Sequence, residues 1–295
     1  MISRNDPCWC GSKNKWKKCH FPEEAPINSD ELSSRYEKQY GIILKSKSQI
    51  DGIRKACQLA AFILEETCKR AKAGATTNEL SDYAYELHKK YGAIPAPLGY
   101  GSPPFPKPIC TSLNEVICHG IPNDTPLKEG DILNIDITCI LGGYYGDCSR
   151  MVMIGKVSDE NKHLVEVARE CLHRAITILK PGLLLSDIGK CIQDYATSEG
   201  CSVVNTFVGH GVGLKFHEPP HVPHCYNQSK IPLAEGMIFT IEPMINAGVR
   251  ESIVDPIDKW TARTADGKSS AQWEHTVLIT KDGYEILTLV GEKLP

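Results

Sequence analysis

Residues 129–136 read EGDILNID and residues 235–242 read EGMIFTIE. Each copy opens on Glu-Gly, runs through β-branched and apolar residues, and ends on a carboxylate. The text around each copy follows one order of elements. Before the first, Ile50, Ile53, Ala56, Ala60, Ile63, Leu64, Thr67 and Ala71 recur at helical spacing, predicting a helix from about 48 to a stop at Gly74. A second helix is expected over 77–91, closed by Gly92, and strand-like text follows in DILNIDITCIL and RMVMIGKV. The second copy is preceded by expected helices over 159–179 and 186–198, with Gly182 standing where Gly74 stood. Its strands are CSVVNTFVG, MIFTIEPMI and EHTVLIT. The matching element order points to a duplicated helix-helix-strand-strand unit, and so to an α/β (α+β) fold with an internal pseudo-twofold repeat.

The repeat concentrates charge. Asp136 and Glu242 end the two copies, and Asp147 and Glu274 enter later strands in YGDCSRMVMI and QWEHTVLI. Side chains two apart share a strand face, so Asn134 joins Asp136 and Thr240 joins Glu242. A pseudo-twofold fold brings these four acids toward one axis within Ile/Leu/Val-rich surroundings, where unpaired carboxylates are costly. Such a cluster calls for neutralising metal cations.

The stretch FVGHGVGLKFHEPP, 207–220, holds His210 and His217 among three glycines. A phosphate-cradling reading fails, because G-x-G-x-G lacks the dinucleotide spacing and no Walker lysine and hydroxyl follow. An isolated histidine pair in such a turn most often packs or faces solvent. Beside an acidic cluster, an imidazole instead suits a borderline divalent ion, and the glycines let the backbone bring His210 close.

The remaining composition is that of a soluble globular chain. The 295 residues are 41% hydrophobic and 23% charged, with a formal net charge of −3. Nothing points to DNA or to an anionic membrane as the main partner. The absence of a long apolar run and of an apolar N-terminal signal core places the chain in the cytoplasm. Of 13 cysteines, Cys57, Cys68, Cys139 and Cys171 fall in helix or strand text and read as reduced, buried small hydrophobes.

The blocks NIDIT, YYGDCSR, FVGHGVGLKFHEPP, FTIEPM and AQWEHT, with NEVICHGIP at 114–122, resemble the signature blocks of type I methionine aminopeptidases. They occur in that family's order, and the resemblance covers about residues 42–290. It implies the pita-bread fold and the removal of N-terminal initiator methionine from nascent chains and peptides, preferably before a small second residue. It also implies two divalent ions (Co, Mn, Fe or Zn). Asp147 and Glu274 would bridge them, Asp136 would hold one, and His210 with Glu242 the other. Glu242 would also accept the nucleophile's proton, His217 would stabilise the oxyanion, and His119 would contact the scissile amide nitrogen. Tyr100, Phe105, Cys110, Phe216 and Trp260, together with His119 and His217, would line the substrate pocket, and the enzyme would act as a monomer.

The first 45 residues differ. Cys8, Cys10, Cys19 and His20 offer three thiolates and an imidazole, a set suited to tetrahedral zinc. PCWCGSKNKWKKCH resembles the SEC-C zinc motif found at the end of a preprotein translocase ATPase, which implies one structural Zn in a unit spanning 1–25. Residues 26–45 read as an aperiodic linker, and 46–295 as the catalytic domain. Arg4, Lys13, Lys15, Lys17 and Lys18 against Asp6 make the motif basic, which suggests docking on the ribosome. Two rivals are weighed: a proline-specific exopeptidase of the same fold, which would usually carry a larger N-terminal domain, and a metal-free binding protein, which would have lost metal ligands.

Overall fold

The computed structural model describes residues 4–8, 12–19 and 29–289. The chain divides into two units, Met1–Gly41 and Ile42–Pro295. In the first, a tight turn is closed by Cys8 N–H to Asn14 O at 2.7 Å and Trp16 N–H to Asp6 O at 2.8 Å. Cys8 is buried and Cys19 exposed; Cys10 and His20 lie outside the described residues, so the four-residue zinc set is not seen together. The stretch expected to be an aperiodic linker forms helix α1, Ser29–Tyr40. Asp30 and Glu31 in its first turn and Lys38 in its last complement the helix dipole. Leu32, Tyr36 and Tyr40 recur every four residues, a stripe too short and polar to stand out in the sequence.

In the second unit the doubled plan is visible residue by residue. Helices α2 (Lys47–Cys68) and α3 (Thr77–Lys90) belong to the first half, and α4 (Asp159–Thr177) and α5 (Leu185–Ser198) to the second. Ser46 with Gln49 and Thr76 with Glu79 form capping boxes that fix the starts of α2 and α3. Helix α2 stops at Cys68, short of the expected Gly74. That glycine instead takes φ +87 in the next turn and donates its N–H to Leu127 O at 2.9 Å. Gly182, at φ +86, does the same to Leu233 O at 2.8 Å. Bridges Thr76 to Pro126 and Leu184 to Pro232 repeat the match.

Each half builds a sheet against its helices. Strand Ile132–Leu141 pairs along its full length with Tyr144–Met153, and on its other side with Cys110–Leu113 and Ile94–Pro95. In the second half Ile238–Ile241 lies between His275–Ile279 and Gly209–Gly211, with Tyr284–Ile286 and Glu218–Val222 outermost. The first-half core packs Leu59 and Ile63 of α2 on Leu133, Ile135 and Ile137. A Cβ on Gly146 would lie 2.3 Å from the α2 backbone at Ala56 and Cys57, so only glycine permits this approach. Cys57, Cys139 and Cys171 are fully buried, as small hydrophobes, and burial pushes the Cys57 thiol up to about 12. Cys68, also expected to be buried, is half-buried at the end of α2. No described helix is long and apolar enough to cross a membrane. The two sheets meet where Ser149 bridges to Glu274.

Candidate metal centre

That seam is where the acids gather. Asp136 lies mid-strand, opposite Cys110 on one side and Ser149 on the other. On the partner strand Asp147 faces Thr138, whose hydroxyl donates to Asp147 Oδ1 at 2.7 Å. Glu242 follows Ile238–Ile241; its Oε1 accepts from Thr240 Oγ1 at 2.7 Å and its Oε2 from Gln272 Nε2 at 3.1 Å. Glu274 is held by its own N–H, which donates to Ser149 O at 3.2 Å. His210 comes from the short strand Gly209–Gly211, where a Cβ on Gly209 would fall 2.5 Å from Thr240 O. One donor atom from each of Asp147, His210 and Glu274 lies within 4.8 Å of the other two.

All five residues line a single cavity of about 400 Å³, together with His119, His217, Tyr100, Phe105, Cys110, Phe216 and Trp260. Every site residue expected in the second unit is therefore brought to one place. Sequence reasoning missed part of the wall. Phe207, whose ring centre is 5.4 Å from that of His119, Met244, and His221, the strand partner of His210, also line it. It missed as well His224, fully buried behind the site, whose Nε2 accepts the Glu242 N–H at 3.1 Å. Strand alternation offered a signal for Thr138, Gln272 and Met244, each two residues from an acid.

The electrostatics favour cations. Burial pushes all four carboxyls upward, Asp147 to about 7, and like-charge repulsion raises Asp136, Glu242 and Glu274 further. Burial lowers the imidazoles, His210 to about 3 and His119 and His217 to about 4, so all three are neutral. His210 Nδ1–H donates to Gly211 O at 3.1 Å, which leaves its Nε2 lone pair facing Glu242 Oε1 at 3.6 Å and Asp147 Oδ2 at 3.7 Å. A lone pair aimed at ionised carboxylate oxygens is repelled unless a proton or a cation lies between them. A divalent cation among them fits this donor set, oxygen-rich with one imidazole.

A test by pH follows from these shifts. With metal chelated, the folded protein keeps protons that the unfolded chain has already shed. These carboxyls therefore lower its stability as pH climbs from the ordinary carboxylate range toward about 7, while the neutral buried histidines oppose the fall up to the ordinary histidine value of 6.5. Each shifted carboxyl contributes a slope of about 1.4 kcal/mol per pH unit. The histidines are neutral in the folded protein with or without metal, so the gap between urea midpoints of metal-saturated and chelated protein widens as pH climbs through this range. A gap that stays constant with pH contradicts the clustering of the acids.

Comparison with known proteins agrees with this geometry. The profile of metallopeptidase family M24 matches residues 51–281, and that of the SEC-C motif matches residues 4–22. A methionine aminopeptidase of Chlamydia pneumoniae is 60% identical over 291 residues, covering 99% of this chain and all of its own length. The crystal structure of methionine aminopeptidase from Rickettsia prowazekii superposes with a TM-score of 0.81 at 46% identity, covering 84% of this chain and 100% of that one. A prolidase from Pyrococcus furiosus, 23% identical with a TM-score of 0.69, shares the fold, covering 89% of this chain and 68% of its own. The architecture is the pita-bread fold, and the proline-specific rival is left with that likeness alone. A doubled α/β core closing on buried acids, read with these likenesses, makes the assignment: the chain belongs to metallopeptidase family M24, as a hydrolase of the methionine aminopeptidase kind.

Proposed function

We propose that Asp136, Asp147, His210, Glu242 and Glu274 hold two divalent ions, and that the cavity removes initiator methionine, preferring a small second residue. The observation that carries this is His210 Nε2 set 3.6 Å from Glu242 Oε1 and 3.7 Å from Asp147 Oδ2 in a cavity that all five groups line. Bound there, the cations supply Lewis acidity toward a peptide carbonyl and lower the pKa of a nucleophilic water. The protein's own groups do the rest. Glu242, fixed through Thr240 and Gln272, takes the proton that the attacking water gives up. His217 is turned by Tyr100, whose hydroxyl lies 2.8 Å from Nδ1; with the ring proton on Nε2, it donates to the developing oxyanion. His119, held at φ +56, sets its ring edge-on to Phe207 and Trp260 and meets the scissile amide nitrogen.

Phe105, Phe207, Met244 and Trp260 give the methionine thioether apolar and aromatic walls. The Tyr100 ring sits 4.9 Å from Phe216 and 5.2 Å from His217 between centres, crowding the space beside that pocket and leaving room for Gly, Ala or Ser. A peptide panel tests the reading. Met-Ala-Ser and Met-Gly peptides are cleaved, Met-Leu peptides about 100-fold less well, and Xaa-Pro peptides not at all. His217→Ala lowers kcat while bound metal stays unchanged. Loss of metal in that variant would make His217 a ligand and remove its assigned role.

The basic N-terminal unit, with Cys8, Cys10, Cys19 and His20 around one Zn, is assigned to docking of this monomeric enzyme on the ribosome. The support is charge and the SEC-C likeness. Deleting residues 1–40 reduces co-sedimentation with ribosomes and spares peptide turnover; unchanged co-sedimentation refutes the assignment.

A further inference from the structure

A three-stranded sheet lies beside the cavity and reaches it through flanking residues. Its strands, in order, are Ser252–Val254, Ala262–Thr264 and Val116–Cys118. His119 follows the innermost strand and Trp260 precedes the middle one, and both line the cavity. The outermost strand, Ser252–Val254, pairs among the described residues only with Ala262–Thr264. Its ladder bonds are placed by the flanking contacts, Ala265 N–H to Glu251 O at 3.0 Å and Asp255 N–H to Thr261 O at 2.8 Å. Antiparallel alternation then turns the N–H and C=O of Ile253 inward and those of Ser252 and Val254 toward the open edge.

This edge is short and flanked by Glu251, Asp255 and Pro256, yet its own three residues carry neither charge nor proline. Ile253 is 56% exposed, Val254 43% and, in the adjoining turn, Ile257 90%. The edge is also continuous with the cavity. Ser252 Oγ is bonded to Thr206 Oγ1 at 3.0 Å, and Thr206 lines the cavity itself. Trp260, in the same hairpin, is pinned by its Nε1–H to Pro103 O at 2.9 Å, so the hairpin holds a fixed place at the wall.

We propose that substrate residues downstream of the cleaved bond add to Ser252–Val254 as a further strand. Their backbone would bond Ser252 and Val254, and their apolar side chains would cover Ile253 and Val254. The occupant is the extended chain of the peptide being processed, recognised through its backbone and its alternating apolar side chains. This rests on reading the neighbouring cavity as the seat of peptide cleavage.

The experiment compares kcat/KM for Met-Ala-Ser with that for a nine-residue Met-Ala peptide whose downstream residues alternate apolar and polar. The longer peptide is cleaved about tenfold more efficiently, through KM, as a few added hydrogen bonds would give. N-methylation of alternate downstream amides removes the gain. Val254→Pro, which deletes an outward N–H without breaking the ladder, also removes it and leaves tripeptide turnover unchanged. No gain with length, or a gain that survives N-methylation, overturns the proposal. So does self-association of the enzyme that Val254→Pro abolishes without any length effect, because the edge then belongs to a second copy. Failure to cleave even the tripeptide would sink the reading of the cavity, a result distinct from these.

Discussion

Glu274→Gln leaves a folded protein that no longer turns over peptide, its kcat lowered by at least about 10³-fold, as expected when a catalytic charge site is dismantled. The side chain is 3% exposed and sits on the seam between the two sheets, within reach of Asp147 and His210. Glutamine keeps its shape and one carbonyl oxygen and removes only the charge. The remaining acids then hold one negative charge fewer for cations, and their mutual repulsion in the chelated protein eases. Two readouts should therefore move in opposite directions. Metal content falls on purification, and the chelated variant becomes more stable than chelated wild type at pH above about 7, because one carboxyl that resisted ionisation is gone. Near-normal turnover with a full metal complement would strip Glu274 of its assigned role.

The second large effect is on stability. Lys45→Met costs about 3–5 kcal/mol, the range found when one member of a buried ion pair is removed. Lys45 Nζ lies 2.7 Å from Glu218 Oε1, with side chains only 1% and 5% exposed, and also donates to Ile43 O at 2.9 Å. Burial pulls the Lys45 pKa down, and the Glu218 charge is the chief influence opposing it. Methionine fills the volume but abandons Glu218 inside the protein. Removing both charges, as Lys45→Met with Glu218→Leu, recovers most of the loss, since an apolar pair of similar volume needs no compensation. Denaturant midpoints of the three variants decide the matter. A single variant within about 1 kcal/mol of wild type, the ordinary value of a surface pair, would show that the pair is not buried in solution.

That ion pair also marks how far the amino-acid sequence could be read. In ILKSKS, Lys45 looks like any surface lysine near a helix start, no different from exposed Lys47. The helices were legible because apolar residues at helical spacing declare a buried face wherever the helix ends up. The acids were legible because carboxylates in Ile- and Val-rich strands stand out, and because the repeated segment showed where their counterparts would fall. Partners that meet only through the fold left no local trace. His224, which accepts the Glu242 N–H, lies in PHCYNQ with no periodic context, and Phe207 reads as one more aromatic in a glycine-rich turn. Helix α1 escaped notice because its apolar stripe is three residues long.

The bridge from Ser149 to Glu274 ties the two copies together at the spot where the chemistry is lodged. Asp136 and Asp147 arrive from one copy, and His210, Glu242 and Glu274 from the other. Neither copy alone is an ancestor in miniature with half the activity; severed, each would carry an inert handful of donors. An ion captured there would serve as keystone as well as reagent, and any lesion that loosens the arch is expected to announce itself first as a leak of metal.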